Sequence, residues 1–230
     1  MPGHGGSSGK RARPQVLVLA ALHQYHAQVR CYGFAELQSV VKWFGPNTLF
    51  AEVTEEDLRL RRPEPVKREY PEAIYPLLDA AASISAHALE PAGAARRLLI
   101  DRLESAAQEF QEKVEYAQFE ESVHAWLASL ILTWKTPADV NSRGTDASVR
   151  AKNERQRPLY PDDYSRVLEE WNEHFLARII DGLRKDRPAR ALVLVGLEHC
   201  FWLRDRLAGR EDVELLNAEE LLAANFADES

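Results

Sequence analysis

The chain has little cysteine, no long apolar run and no excess of basic residues. Cys31 and Cys200 are the two cysteines among 230 residues, too few for the disulfide framework of a small secreted domain, so we expect a reducing cytoplasm. No apolar stretch approaches the roughly 20 residues that a membrane-spanning helix needs. Acidic residues outnumber basic ones by 36 to 29, which argues against a nucleic-acid-binding protein that relies on overall charge.

The N-terminal segment is rich in glycine and serine and lacks the apolar core of a signal peptide. We expect residues 1–14 to be a disordered tail. Residues 15–226 are long enough to fold around one sizeable core, so they are predicted to form a single domain.

Two similar apolar segments lie near opposite ends of the chain. Residues 15–23 are Gln-Val-Leu-Val-Leu-Ala-Ala-Leu-His, and residues 191–199 are Ala-Leu-Val-Leu-Val-Gly-Leu-Glu-His. Short, unbroken apolar runs are typical of strands that are buried on both faces of a parallel sheet. Ligands bind at the carboxyl ends of such strands. We therefore expect His23 and His199, which end the two runs, to flank a site.

The order of patterns along the chain predicts an α/β fold with a mostly parallel sheet built from two βαβ halves. In the first half, a helical segment from Phe34 to Phe44 separates the first run from a second strand, Thr48–Val53. In the second half, an amphipathic helix from Asp162 to about Lys185 precedes the other apolar run, and a last strand is predicted near residues 213–216.

The two halves are separated by segments with different patterns. Residues 83–89 alternate weakly and could form a third strand. Residues 92–135 have helical periodicity with a shift of register, which predicts a helical insertion of two helices or one bent helix. Residues 136–161 are polar without periodicity, so we expect a long loop that is either disordered or a functional lid.

Several polar residues are placed where they could act beside the two histidines. Glu52 follows an apolar strand, where a carboxylate is costly to bury unless it has a hydrogen-bonding partner, a metal or a substrate. His26 completes a His-x-x-His spacing that metal sites use, although a helix cap or a surface position is the better interpretation for it. Asn172 lies at the edge of the long helix and could face the strand ends.

The segment after the second apolar run contains a glycine and a cysteine with separate roles. Gly196 would let the backbone and a ligand approach closely. Cys200 could be a ligand or nucleophile, but a buried, inert thiol is the better interpretation. Elsewhere, Arg150 and Arg155 belong to a local basic patch that could clamp an anionic substrate, or could simply be solvated.

Together these residues resemble the TraB/PrgY–Tiki–erythromycin esterase–ChaN superfamily. Its members have a Gly-x-x-His motif near the end of each of two βαβ halves, a Glu after the second strand, and a polar residue on the helix before the second motif. In this chain Gly196–His199, Glu52 and Asn172 match, whereas the first motif has Ala20 three residues before His23. Described activities include metal-dependent proteolysis, lactone opening by a histidine acting on water, and binding of haem iron.

The resemblance implies a hydrolase that acts on an ester, lactone or peptide bond, with His23, Glu52, Asn172 and His199 as catalytic residues. In one mechanism His23, Glu52 and His199 hold a divalent metal ion, with His26 as a further candidate ligand, and the bound water attacks. In the other, one histidine is the general base and no metal takes part. The alternatives are a non-catalytic protein that binds metal, haem or a small ligand, and a regulatory protein with a vestigial site.

The expected partner is a small-molecule or peptide substrate, with no nucleic acid and no membrane. Apolar residues of the helical insertion, Trp126 and Trp134 among them, could cover the cleft or form a homodimer contact.

Overall fold

Five parallel strands form one sheet in the order β3-β2-β4-β1-β5. The computed structural model describes residues 12–63, 65–81, 83–111 and 115–226. The strands are β1 Gln15–Ala21, β2 Thr48–Ala51, β3 Ser85–Ala88, β4 Arg190–Gly196 and β5 Glu214–Leu215. This topology confirms the predicted α/β class. The tail expected at residues 1–14 lies, up to residue 11, outside the described residues.

Ten α-helices are found in the part of the chain that the structure describes, and none of them is long and apolar enough to cross a membrane. They are α1 Phe34–Phe44, α2 Glu55–Leu60, α3 Tyr75–Ala80, α4 Gly93–Gln111, α5 Glu115–Thr133, α6 Pro137–Val140, α7 Arg143–Gln156, α8 Asp162–Asp186, α9 Leu197–Ala208 and α10 Ala218–Asn225. A π-helical turn, Tyr70–Ile74, leads into α3.

The two similar apolar runs become the neighbouring central strands β1 and β4. Their registers run from Gln15 opposite Arg190 to Ala21 opposite Gly196. Every residue of the two strands after the first is buried. This double-sided burial explains why both segments are continuously apolar rather than alternating.

The helices predicted from apolar spacing form as expected. Helix α1 buries its apolar stripe and ends at Gly45, whose positive φ of 58° gives the left-handed cap that glycine adopts without strain. Helix α8 buries Phe175, Ile179 and Leu183 along one face. The predicted helical insertion consists of α4 and α5.

The prediction of a long loop for residues 136–161 is wrong, because this segment contains α6 and α7. Helix α6 begins with a capping box in which the Thr136 hydroxyl accepts from the Asp139 N–H and the Asp139 carboxylate accepts from the Thr136 N–H. Helix α7 has few apolar residues and is held by ion pairs to α9 instead, including Asp146 with Arg204 at 2.7 Å. A helix stabilised this way lacks the apolar period that predicts helices.

The outer edge of β1 is closed by side chains beyond the short pairing with β5. The Ala20 N–H donates to Oδ1 of Asn141 at 2.9 Å. The Arg204 guanidinium donates to the Val18 carbonyl at 2.9 Å and to Asn141 Oδ1 at 3.1 Å. These bonds satisfy backbone groups that an unpaired strand edge would leave open.

Candidate functional site

Polar residues that follow four neighbouring strands meet at the carboxyl edge of the sheet. His23 follows β1, Glu52 follows β2 and Glu90 follows β3, while His199 lies in the first turn of α9 directly after β4. The strands are adjacent in the order β3-β2-β4-β1. This is the edge at which open parallel sheets bind their ligands.

Glu52 is the centre of the group, because both histidines approach the same carboxylate oxygen. Nε2 of His23 and Nε2 of His199 each lie 3.9 Å from Oε1 of Glu52. The Glu52 side chain is 5% exposed, whereas those of His23 and His199 are 24% and 19% exposed. A solute can therefore reach the imidazoles but has little access to the carboxylate.

The backbone and side chain of Glu52 are both fixed by the ends of neighbouring strands. Its N–H donates to the Tyr70 hydroxyl at 2.6 Å, and that hydroxyl donates to the Leu194 carbonyl at 3.0 Å, so Tyr70 bridges β2 and β4 where their pairing ends. The Glu52 Oε2 atom accepts a short hydrogen bond from the Gly196 N–H.

Lys67 provides the positive charge that a buried carboxylate needs. Its Nζ lies 2.9 Å from Glu52 Oε1 and 2.6 Å from Glu90 Oε1. Burial alone would raise the pKa of Glu52, but the charge of Lys67, followed by those of His199 and His23, lowers it to about 2. Burial raises the pKa of Glu90 more than Lys67 lowers it.

His23 is held in a strained conformation by a buried carboxylate. Its φ of 52° lies in the left-handed region, which residues other than glycine seldom adopt. Nδ1 of His23 lies 2.9 Å from Oε1 of Glu69, a residue with no exposed surface. Burial lowers the pKa of His23, but the hydrogen bond to Glu69 and the charges of Glu52 and Glu69 outweigh it, so the pKa is raised.

His199 is oriented by a neutral partner. Its Nδ1 lies 2.6 Å from Oδ1 of Asn172 on α8, and its ring packs against Phe175 with centroids 5.1 Å apart. Because the amide oxygen can only accept, Nδ1 carries the proton and the Nε2 lone pair of neutral His199 is directed at the site.

Gly196 leaves the space that His23 fills. A Cβ added at Gly196 would lie 2.8 Å from Nε2 of His23 and 3.3 Å from Oε2 of Glu52. The glycine is therefore needed for close approach of side chains to the end of β4.

The two histidines occupy similar places by different routes. Ala21, rather than Ala20, lies opposite Gly196 in the sheet. His23 thus follows its strand end by two residues, whereas His199 follows by three. The left-handed turn at His23 directs its ring across to Gly196 despite the shorter connection.

Other residues singled out in the sequence have other contacts. Both nitrogens of the buried His26 are engaged, Nε2 with the Leu22 N–H and Nδ1 with the Tyr32 carbonyl, so His26 stabilises the turn after β1. Cys200 is buried at the sheet, and burial raises the pKa of its thiol to about 12, which makes the thiol inert.

The two arginines of the predicted basic patch lie on α7. Arg150 pairs with Asp205 at 2.6 Å and covers the ring of Phe201, and Nε of Arg155 donates to the Ala151 carbonyl in the same helix. Their role in binding an anionic substrate stays a prediction.

Lys67 and Glu69 belong to the site although the sequence pattern does not predict it. Both lie in the charge-rich connection between α2 and α3. Alternating charges in such a stretch are usually solvated, and nothing in their spacing predicts that the connection folds back over the strand ends. Glu90 lies two residues after β3, whose sequence pattern predicts a strand only weakly.

The residues predicted to hold a divalent metal fit a metal ion poorly. Ligand atoms around a tetrahedral zinc at about 2.1 Å lie roughly 3.4 Å from one another, closer than the 3.9 Å between Glu52 Oε1 and either Nε2. Within the described ranges, no three His, Cys, Asp or Glu side chains are arranged to hold a metal ion. Lys67 already lies against the carboxylate oxygen that the metal would use.

Comparison of the chain with protein-family models, with curated proteins and with solved structures finds no match.

Proposed function

We propose that the protein is a hydrolase that cleaves an ester or lactone with water, using His199 as general base and His23 as general acid. The observation that carries the proposal is the pair of imidazoles on one carboxylate oxygen, each anchored at Nδ1 by a chemically different partner. Placing two titratable groups in surroundings of different charge is a usual way for a site to separate an acid from a base.

The position of the attacking water follows from the distances. A separation of 3.9 Å between Glu52 Oε1 and each Nε2 is too long for a direct hydrogen bond and suits a bridging water. Such a water would donate one proton to His199 Nε2 and the other to Glu52 Oε1. Its oxygen lone pair would remain free for attack.

The roles of the two histidines follow from their anchors. Asn172 keeps the proton of His199 on Nδ1, so Nε2 can take a proton from the water as its oxygen attacks the carbonyl carbon. The carboxylate of Glu69 favours the imidazolium form of His23. Nε2–H of His23 can therefore stabilise the developing oxyanion and then protonate the leaving alkoxide. His199 then releases the proton it took from water, and His23 takes one up from solvent, which restores both histidines for the next turnover.

The test is turnover by variants in which each imidazole is removed. A panel of aryl esters, lactones and peptides is offered to the wild type, His23→Ala and His199→Ala, with His124→Ala on the exposed face of α5 as the matched control. We expect each site variant to lose about 100-fold or more in kcat/KM, and the control to lose nothing. Equal turnover by all four proteins contradicts the proposal.

The alternatives give different results in the same experiment. A non-catalytic binding protein shows thermal shifts with metal, haem or small ligands and no turnover of any panel member. A regulatory protein with a vestigial site shows neither. We also propose a cytoplasmic location, which the unpaired state of Cys31 and Cys200 supports.

A further inference from the structure

Lys67 uses every donor of its ammonium group at the site. Nζ lies 2.9 Å from the Glu52 carbonyl oxygen, 2.9 Å from Glu52 Oε1 and 2.6 Å from Glu90 Oε1. An ammonium group has three N–H donors, and three acceptors are in reach. Lys67 therefore has no donor left for a substrate, and its effect must pass through Glu52 and Glu90.

The surroundings of Lys67 are strongly negative. Glu52, Glu69 and Glu90 are all buried, and the positive groups that act on them in the described part of the chain are Lys67, Arg96 and the two histidines when protonated. Burying carboxylates without opposite charge is unfavourable. A cation is therefore needed at this edge of the sheet, and the ammonium group of Lys67 is that cation.

A divalent metal and the ammonium group compete for the same place. A metal on Glu52 Oε1 would lie within a few ångströms of Nζ, where two positive charges repel strongly in a poorly solvated site. The other carboxylate oxygen, Oε2, already accepts from the Gly196 N–H. A metal on this carboxylate would therefore have to displace Lys67 or the Gly196 N–H.

We infer that Lys67 is the resident cation of the site, in the place that a divalent metal on Glu52 would take, and that removing its side chain would create a metal site. Glu52 Oε1, 3.9 Å from Nε2 of each histidine, and Glu90 Oε1 would then both border the space that the ammonium leaves. A shift of about half an ångström would bring Oε1 and each Nε2 to the roughly 3.4 Å spacing of tetrahedral ligands. Two carboxylates and two imidazoles are donors that Co²⁺ and Zn²⁺ accept. Lys67 is a positioning residue, and this role deepens the proposed function, which uses the Glu52 that Lys67 holds.

The test is titration with Co²⁺ of protein that carries no polyhistidine tag, followed by visible absorption and calorimetry. The variants are Lys67→Ala and Lys67→Arg, the second of which keeps the charge. The matched surface control is Lys42→Ala, since Nζ of Lys42 on α1 donates to Gln38 of the same helix. We expect Lys67→Ala to bind one Co²⁺ at least about 100-fold more tightly than the wild type. The added Glu52→Gln change should abolish that site, and Lys67→Arg and Lys42→Ala should resemble the wild type.

Two results would overturn the inference. One is tight, stoichiometric Co²⁺ binding by the wild type that Glu52→Gln abolishes, because the ammonium would then not occupy the metal position. The other is a folded Lys67→Ala protein that binds Co²⁺ no better than the wild type. If Lys67→Ala does not fold, the wild-type titration still decides whether the ammonium group keeps a metal off Glu52. Since metal binding is measured without turnover, failure of the hydrolase proposal would be seen separately.

Discussion

Nδ1 of His23 lies 2.9 Å from a carboxylate oxygen of Glu69, while Nδ1 of His199 lies 2.6 Å from the amide oxygen of Asn172. The two rings therefore meet one Glu52 oxygen with different partners behind them. The carboxylate of Glu69 favours the imidazolium form of His23, whereas the amide of Asn172 brings no charge to His199. This difference gives the two histidines separate roles.

Replacing Glu69 with Gln should lower the pKa of His23. The amide keeps a hydrogen-bond acceptor for Nδ1–H but removes the negative charge, so we expect the pKa of His23 to fall. The pKa is measured by NMR titration of the ring signals. Glu72→Gln, which removes an exposed carboxylate paired with Arg68, is the control and should leave the His23 titration unchanged. An unchanged titration in Glu69→Gln would show that Glu69 does not set the charge of His23.

Replacing Gly196 with Ala should displace His23. The new Cβ would lie 2.8 Å from Nε2 of His23, so the ring must move, with an expected stability cost of about 1–3 kcal/mol and loss of activity. Gly144→Ala in α7 is the control, since its Cβ would meet the Ser142 hydroxyl at an ordinary 3.5 Å. Urea unfolding and a crystal structure of Gly196→Ala check the result, and a His23 ring that stays in place contradicts it.

Replacing Asn172 with Asp should alter the pH dependence of activity. A carboxylate next to Nδ1 stabilises protonated His199, and a protonated imidazole cannot act as a base. We expect the low-pH limb of kcat/KM to move to higher pH while the fold is retained. A limb that stays where it is in the wild type would exclude His199 as the base.

Glu52 should make the folded state sensitive to acid. Its pKa is about 2 in the folded protein against an ordinary 4.5, so the unfolded chain takes up the proton first as the pH falls. The stability that ionised Glu52 contributes is complete above about pH 4.5 and is lost towards pH 2. Unfolding free energies measured across this interval should fall less steeply in Glu52→Gln than in the wild type. Parallel curves would contradict this assignment.

His23 should give the opposite dependence at higher pH. Its folded pKa is raised above 6.5, so protonated His23 stabilises the fold fully below that pH. The contribution is lost as the pH rises through the folded pKa. In His23→Gln, the free energy of unfolding should therefore change less between pH 6 and pH 9 than in the wild type. A larger change in the variant would reverse the sign we assign.

The parts of the fold that bury apolar surface could be predicted from the sequence. The central strands β1 and β4 and the amphipathic helix α8 follow from apolar period and length, because burial alone decides their pattern. Helix α7 could not be predicted in this way, since ion pairs such as Asp146 with Arg204 hold it. Its stability depends on which helix lies opposite, which no local pattern records.

The candidate site, too, could be predicted from the sequence only in part. His23, Glu52 and His199 lie within three residues of strand ends, so the rule for parallel sheets predicts that they meet at one edge. The position of Asn172 at the edge of the apolar face of α8 predicts that it faces the same site. Lys67 and Glu69 belong to a connection whose path is set by tertiary contacts such as Tyr70 with the Leu194 carbonyl. The charged residues next to the histidines therefore cannot be predicted without the tertiary structure.

The most direct test of the account is the pH profile of kcat/KM on the best substrate of the panel, measured for the wild type and Glu69→Gln. We expect a bell-shaped wild-type profile in which the low-pH limb reports His199 as base and the high-pH limb reports His23 as acid. In Glu69→Gln the high-pH limb should move to lower pH, because the charge that raises the pKa of His23 is removed, while the low-pH limb stays. A profile that has no high-pH limb, or one that Glu69→Gln leaves in place, would contradict the assignment of His23 and His199 as an acid–base pair.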